Sequence, residues 1–351
     1  MIIITTEEEK QWNDIVKSFS NWDIYYLCQY SKSLELHGDG QAYLIYFEKD
    51  KKRICYIVIQ KDISKFKYLT ECIEADTWFD WETPYGYGGP LEEGGIDREF
   101  LEIFMEELTK YGKENHIISQ FLRFHPLLEN YKHWEEVFEV RHLKNTIFMD
   151  TTDEEAIMRN MDTKNRNMIR KAIKNEITIQ IEEDQHIEEF ISIYEKTMKK
   201  NNADNYYYFS KEYFRYIFSA MREQTKLFCA YYQGKIISAA IFFYNKNYMH
   251  YHLSGALEEY KTLASMNLLL YQAAVWANHQ GIQKLHLGGG VGSEDSLFHF
   301  KKQFHKNGKI DFCIGKNIFD IEKYNSLLEI RKSRENDFRV DNSFMIQYRY
   351  E

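Results

Sequence analysis

The chain has 351 residues, of which 44% are hydrophobic, 28% charged and 16% aromatic; so much apolar material excludes a solvated, disordered chain. No apolar run reaches the roughly 18 residues of a membrane-spanning helix. The formal charge of −9 is uneven, with a net −11 in residues 1–150 and +2 in the remainder. An acidic total speaks against a general duplex-DNA binder, and the asymmetry speaks for two parts with different partners.

The opening Met1-Ile-Ile-Ile4 followed by Thr5-Thr6-Glu7 lacks the basic flank and cleavage site of a signal peptide. The cysteines (28, 55, 72, 229 and 313) are scattered and odd in number, without C-x-x-C spacing. A disulfide framework and a zinc ribbon are therefore not expected, and a cytoplasmic location is. Thr6-x-x-Glu9 has the form of a capping box opening a helix with Trp12, Ile15, Val16 and Phe19 on one side. Gln41–Glu48 and Ile54–Lys61 predict a hairpin, Thr83–Pro90 a loop, Ile96–Glu114 a helix, and 117–124 and 143–150 strands. A helix over 153–175 leads to a strand at 177–182, and helices are predicted near 186–201 and 211–222. Three strands follow at 227–232, 236–244 and 248–255, joined by the tight turns Gln233-Gly234 and Asn245-Lys-Asn247. Leu263–Asn278 is apolar on most sides, so it predicts a buried helix packed across one sheet formed by 227–315. The grammar is mixed α/β (α+β), in two domains at 1–150 and 151–319.

Between Arg159 and Lys174 lie six basic residues and one acid. On a helix, Arg159, Arg166, Arg170 and Lys174 share one arc, with Ile157, Met161, Met168, Ile169, Ala172 and Ile173 on another. The arc reads either as a solvated charged face or as a grip for phosphate or carboxylate. The turn Tyr85-Gly86-Tyr87-Gly88-Gly89-Pro90 admits a ligand close to its backbone, or is an ordinary glycine bend. His250 and His252 alternate along a strand; without a third ligand at a fitting distance, no metal is expected, and they read as histidines lining a cleft. Gly288-Gly-Gly-Val-Gly292 follows a strand but has neither the G-x-x-x-x-G-K-[ST] nor the G-x-G-x-x-G order, which removes nucleotide hydrolysis and dinucleotide redox chemistry. In Phe300-Lys301-Lys302-Gln-Phe304, helical spacing of the two phenylalanines places Lys301 or Lys302 beside an aromatic wall. A lysine there could neutralise an oxyanion or a phosphate.

Taken in order, these segments resemble the Fem-type aminoacyltransferases and the wider tandem GNAT-like acyltransferases related to them. The resemblance covers residues 80–315. It rests on Tyr87-Gly88-Gly89-Pro90, Lys164–Ala172, Tyr251–Ala256 with Ala264–Leu270 and Trp276–Gly281, Leu285–Gly289, and Phe300-Lys301-x-x-Phe304. It implies two GNAT-like domains, with 320–351 returning to complete the first. It also implies an aminoacyl group moved from aminoacyl-tRNA, as a donor substrate and not a tightly bound cofactor, to an amine of a peptidoglycan precursor. Lys301, beside Phe300, would stabilise charge on the donor or the tetrahedral intermediate. Tyr85, Tyr87, Gly88, Gly89, Arg166, Arg170, His252 and His286 would contact substrate, the arginines at phosphate. His286 stands where many relatives carry aspartate. The glycine-rich pyrophosphate turn of acetyl-CoA enzymes is missing around Lys261–Met266. Two alternatives remain beside this reading: an acyl-CoA-dependent N-acyltransferase acting on an amino sugar of a surface polysaccharide, and a non-catalytic relative that binds glycan or peptide.

Overall fold

The computed structural model describes residues 1–350, which divide into two compact units: Met1–Leu143 with the segment from Phe312 onward, and Lys144–Asp311. In the first unit the elements run β1 (Ile2–Thr5), α1 (Glu9–Ser18), α2 (Cys28–His37), β2 (Gln41–Lys49), β3 (Lys52–Asp62), β4 (Phe79–Glu82), β5 (Leu91–Glu93), α3 (Arg98–Glu114) and β6 (Ile117–Arg123). The second unit takes over within β7 (Glu139–Asp150) and continues with α4 (Glu154–Asn160), α5 (Thr163–Lys174), β8 (Thr178–Glu182), α6 (Ile187–Lys200) and α7 (Lys211–Ala220). Then come β9 (Thr225–Tyr232), β10 (Lys235–Tyr244), β11 (Tyr248–Ala256), α8 (Ser265–His279), β12 (Lys284–Gly288) and α9 (Ser296–Lys302). β13 (Lys309–Ile318) returns the chain to the first unit, which ends with α10 (Ile321–Arg334) and a short tail.

Unit 1 is built on the strand order β1-β2-β3-β4-β6-β13, with β5 also on β3. Asp97 caps α3 by accepting from the Phe100 amide at 3.1 Å. The helix then buries Phe100, Leu101, Phe104 and Leu108 against the sheet, in a core shared with Trp81, Trp134 and Phe124. A second core forms around α10 and the tail, with Leu327, Tyr324, Tyr348 and Ile118 inside it. β4 and β6 are a parallel pair from Phe79↔Ile117 to Glu82↔Phe121, with one register shift between Phe79 and Asp80. They stay closed beyond it, where the Thr83 amide donates to Phe121 O at 3.0 Å and the Gly88 amide to Arg123 O at 2.9 Å.

Unit 2 has the order β7-β12-β11-β10-β9-β8. The predicted meander is present, its first turn tight because Gln233 and Gly234 both take positive φ (50° and 78°). α8 buries Leu268, Leu269, Leu270, Ala273, Ala274 and Ala277, contacting strands on one side and α4 and α5 on the other. A helix apolar all round needs such a place between layers. β9 to β12 form the expected sheet, and β13 pairs with β6 from Ile314 to Ile318.

Three local expectations are corrected. The capping box lies one residue earlier: Glu8 accepts from the Thr5 amide at 3.0 Å, whereas the Thr6 hydroxyl donates to Glu35 at 2.8 Å. The helix expected over 153–175 is two helices, broken where Met161 turns to extended backbone and the Asp162 amide donates to Gln303 O at 2.9 Å. Ile173 is exposed, because α5 buries only Asn165, Ile169 and Ala172 against its neighbours.

Candidate functional site

β11 and β12 of unit 2 are parallel neighbours whose pairing lasts three residues and ends at His250↔His286. β11 then follows β10 to Ala256, while β12 follows β7 to Gly288↔Ile147. The two strands part beyond the histidines and open a wedge whose facing backbone groups can serve a ligand. Departure of β11 is helped by a bulge: Ile241 pairs with Leu253 and Phe242 with Tyr251, so His252 is the extra residue of the bulge.

The wall of the wedge is made by the Gly288–Asp295 turn and α9. Asp295 accepts from the Phe298 amide at 2.8 Å and the Gly292 amide at 2.9 Å, which starts the helix and closes the turn. Burial of Phe298 rotates Lys301 inward and leaves Lys302 exposed. Lys301 Nζ donates to Gly289 O at 2.7 Å and sits 5.5 Å from the Tyr251 ring centroid. The aromatic surface beneath the ammonium is therefore Tyr251; Phe300 packs edge-on to Phe304 at 5.3 Å, and Phe304 lies past the helix end. From β7, Lys144 Nζ donates to Gly290 O at 2.7 Å and Val291 O at 3.2 Å. The turn must be glycine: a Cβ on Gly290 would lie 2.1 Å from Asp295 Oδ1, and one on Gly289 2.8 Å from Asn145 O. Gly290→Ala should thus dislodge Asp295 and lower the melting temperature, whereas Gly292→Ala, where a Cβ meets open space, should not; thermal denaturation of the two variants checks this.

Lys301 is only 7% exposed. Burial pushes its ammonium down, the like charge of Lys144 adds to this and Asp295 opposes it weakly, leaving a pKa of about 7. Its charge therefore changes near neutral pH. Burial also lowers the pKa of Lys144.

The histidines occupy the other side of the sheet. Leu285 and Leu287 enter the core under α8, so His286 between them faces away, its Nε2 2.9 Å from the Thr146 hydroxyl. His252 Nε2 lies 3.0 Å from the Tyr213 hydroxyl of α7, and its ring packs on Phe243 at 4.2 Å. Burial, with His250 nearby, pushes His252 down to about 3. The unfolded chain binds a proton at this residue below its ordinary 6.5 and the folded chain does not, so stability should decline as pH falls from 6.5 toward 3. His252→Gln should flatten that slope in denaturant titrations run across the window.

On α5, Arg166 donates to Met161 O and, at 2.8 Å, to the Thr163 hydroxyl, so it is tied to the residues that open its own helix. Arg170 is exposed and reaches Asn167 at 3.0 Å. The buried Asn165 of the same helix accepts from Asn267 Nδ2 of α8 at 2.8 Å and lies 3.4 Å from Gln303 O. If the arc grips phosphate, Arg166→Ala with Arg170→Ala should weaken binding tenfold or more with a shallower salt dependence. Titration of the phosphate-bearing substrate at two ionic strengths checks this.

The remaining predicted residues lie in unit 1. Tyr30 donates to Tyr85 O at 2.6 Å, Tyr26 to Gly89 O at 2.9 Å, and Asn130 to Gly88 O at 3.0 Å and Pro90 O at 2.9 Å. The Tyr85–Pro90 turn is thus held through its backbone, and Gly86 (φ 94°) has the Tyr25 ring where a Cβ would be. Tyr87 lies against Tyr25, Phe312 and His125. His125 Nε2 is 2.5 Å from Asp23, both fully buried, and its Nδ1 accepts from the Leu128 amide at 3.3 Å. The imidazole is therefore the neutral Nε2–H tautomer donating to the carboxylate. The sequence reading passed over Asp23, His125, Lys144, Tyr251 and Asn165. Only Asp295, a cap residue before an apolar run, carried a local signal.

Residues 159–302 match a family model described as an acetyltransferase (GNAT) domain. Among solved structures, FemX superposes with a TM-score of 0.65 at 14% identity, over 93% of this chain and 99% of that one. A conserved protein of unknown function from Bacteroides thetaiotaomicron VPI-5482 gives 0.59 at 12% identity, over 90% and 98%. L-PGS from Bacillus licheniformis gives 0.54 at 11% identity, over 93% and 98%. No curated protein matches the sequence. The matched stretch is thus a GNAT-like domain, and the chain as a whole has the fold of FemX, as the sequence led us to expect. Among the described residues no helix is long and apolar enough to cross a membrane.

Proposed function

We propose that this chain transfers an aminoacyl group, carried as an ester on tRNA, to an amine of a cell-wall precursor, with the transfer taking place at the wedge of unit 2. The observation that carries this is the buried Lys301 ammonium, aimed by Gly289 O and the Tyr251 ring at the point where β11 and β12 separate. In the reaction the acceptor nitrogen attacks the ester carbonyl and forms the C–N bond while an oxyanion develops. The C–O bond to the ribose then breaks, and the proton lost by the amine leaves with the hydroxyl. An activated ester needs little beyond positioning and charge stabilisation, and Lys301 supplies the charge. Phe300 fixes the helix that carries it, and Arg166 and Arg170 of the same unit are the proposed substrate contacts; His252 and His286 lie on the other side of the sheet, and the Tyr85–Gly89 turn belongs to unit 1. One finding favours a second reading, acyl-CoA as donor and an amino sugar as acceptor: the matched domain is an acetyltransferase one.

Thermal protection separates the two. A donor at 100 times its Kd stabilises the fold by about 2.7 kcal/mol. Protection by aminoacyl-tRNA and not by acyl-CoA is the expected result; the reverse establishes the second reading. Protection by neither, with glycan or peptide protecting instead, makes the chain a binding protein.

A further inference from the structure

Lys144 lies outside every role assigned above, yet it reaches the same turn as Lys301. Lys301 binds the carbonyl of Gly289, and Lys144 those of Gly290 and Val291. The Lys144 stem lies along the turn, its Cε 3.7 Å from where a Cβ at Gly289 would sit. Two ammonium groups thus converge on three consecutive carbonyls. Among the described residues neither forms an ion pair with a carboxylate. The nearest acid, Asp295, is committed to backbone amides of its own turn and helix start. Each ammonium carries three N–H donors, so Lys301 keeps two and Lys144 one beyond these carbonyls. Like charges brought together, one of them buried and the other half-buried, are costly unless an anion joins them.

We propose that Lys144 and Lys301 are the two arms of one anion site, built over the Gly288–Val291 turn for a phosphate-class dianion. The proposal deepens the reading of the wedge as the transfer site and rests on it: acyl-CoA carries a diphosphate, and two neighbouring phosphodiesters of tRNA, with one charge each, together present the same charge. The charged and titratable groups facing Lys301 are Lys144 from β7, Asp295 from the turn and Tyr251 from β11. A dianion arriving between the lysines offsets their repulsion and recharges Lys301. Binding should therefore take up a proton above pH 7 and none near pH 6, where Lys301 is already charged.

The test is calorimetric titration of the full chain with inorganic pyrophosphate at pH 8 and pH 6, each in two buffers of different ionisation enthalpy. The expected result is binding with proton uptake at pH 8 only. Lys144→Gln should weaken it tenfold or more, the loss of one charge-assisted contact, and reduce the uptake; Lys144→Arg should restore affinity. Displacement of pyrophosphate by coenzyme A or by deacylated tRNA then assigns the source of the phosphate. Unchanged melting temperatures show that the variants fold. Absence of binding by the wild type, or equal affinity in Lys144→Gln, overturns the two-armed site. If Lys144→Gln binds pyrophosphate normally while Lys301→Met loses acyl transfer, the site is wrong and the transfer reading stands. If both lysines control pyrophosphate binding but no acyl group is transferred from either donor, the site stands and the transfer reading falls.

Discussion

Lys301→Met should lose turnover by about 10²–10³-fold and gain thermal stability in the same protein. The first effect is the usual result of removing one donor that stabilises charge in the transition state, with kcat falling more than substrate affinity. The second follows from its pKa of about 7 against an ordinary 10.5. Between these values the unfolded chain holds a proton that the folded chain releases, so stability rises with pH across that window. Below pH 7 the folded state carries the whole cost of an ammonium in a wall that also holds Lys144. Methionine keeps the stem's packing and removes that cost, so the gain in melting temperature should be largest near pH 6 and shrink by pH 9. Lys302→Met is the control: its side chain is exposed, and neither quantity should move. Phe300→Leu should lower turnover without the stability gain, because it loosens the helix and leaves the charge. A melting temperature that drops in Lys301→Met at pH 6 would show that the lysine is a structural strut.

Much of this fold was legible in the sequence because it follows from local periodicity. The Gln41–Lys49 and Lys52–Asp62 hairpin, the Gln233-Gly234 turn and the apolar α8 all signal themselves within one segment. Errors arose where a tertiary partner decided the outcome. Met161 and Asp162 break a helix that looked continuous because Gln303, far along the chain, accepts a backbone bond there. Thr6 gives up a capping role because Glu35 is within reach. The site was legible only in part for the same reason. Lys301 and Phe300 stand in a recognisable order, but the ring beneath the lysine belongs to a strand some fifty residues earlier, and the second lysine to a strand earlier still. The wedge is a matter of register: nothing in the composition of β11 or β12 says that pairing stops at His250 and His286. His252 alternates with His250 in sequence, yet it is the extra residue of a bulge.

Loss of the tail's arginine should be among the most destabilising single changes in unit 1. Arg349 Nε donates to Asp80 at 2.9 Å and its Nη1 to Glu82 at 2.9 Å, both acids lying on β4. Tyr348 donates to the same Asp80 at 2.5 Å, Ser119 lies 2.8 Å from it, and Arg331 of α10 holds the Tyr348 carbonyl at 2.9 Å. Asp80 is fully buried, so Arg349→Met leaves it without its countercharge, a change that costs about 3–5 kcal/mol when a buried pair is broken from one side. The pH dependence carries a second signature. Burial alone would push Glu82 up, but Arg123, Lys61 and Arg349 outweigh it and hold the carboxyl down to about 2. Its contribution to stability is therefore complete above the ordinary 4.5 and is lost as pH falls toward 2. With one of the three cations removed, that loss should begin at higher pH, so the acid-unfolding midpoint of Arg349→Met should move upward as well as its melting temperature downward. Arg349→Lys separates charge from geometry: one ammonium cannot reach both carboxylates as the guanidinium fork does, so it should recover the acid midpoint better than the melting temperature. Equal stability of Arg349→Met and the wild type at pH 7 would mean that the tail rests on unit 1 through Tyr348 and the α10 core alone.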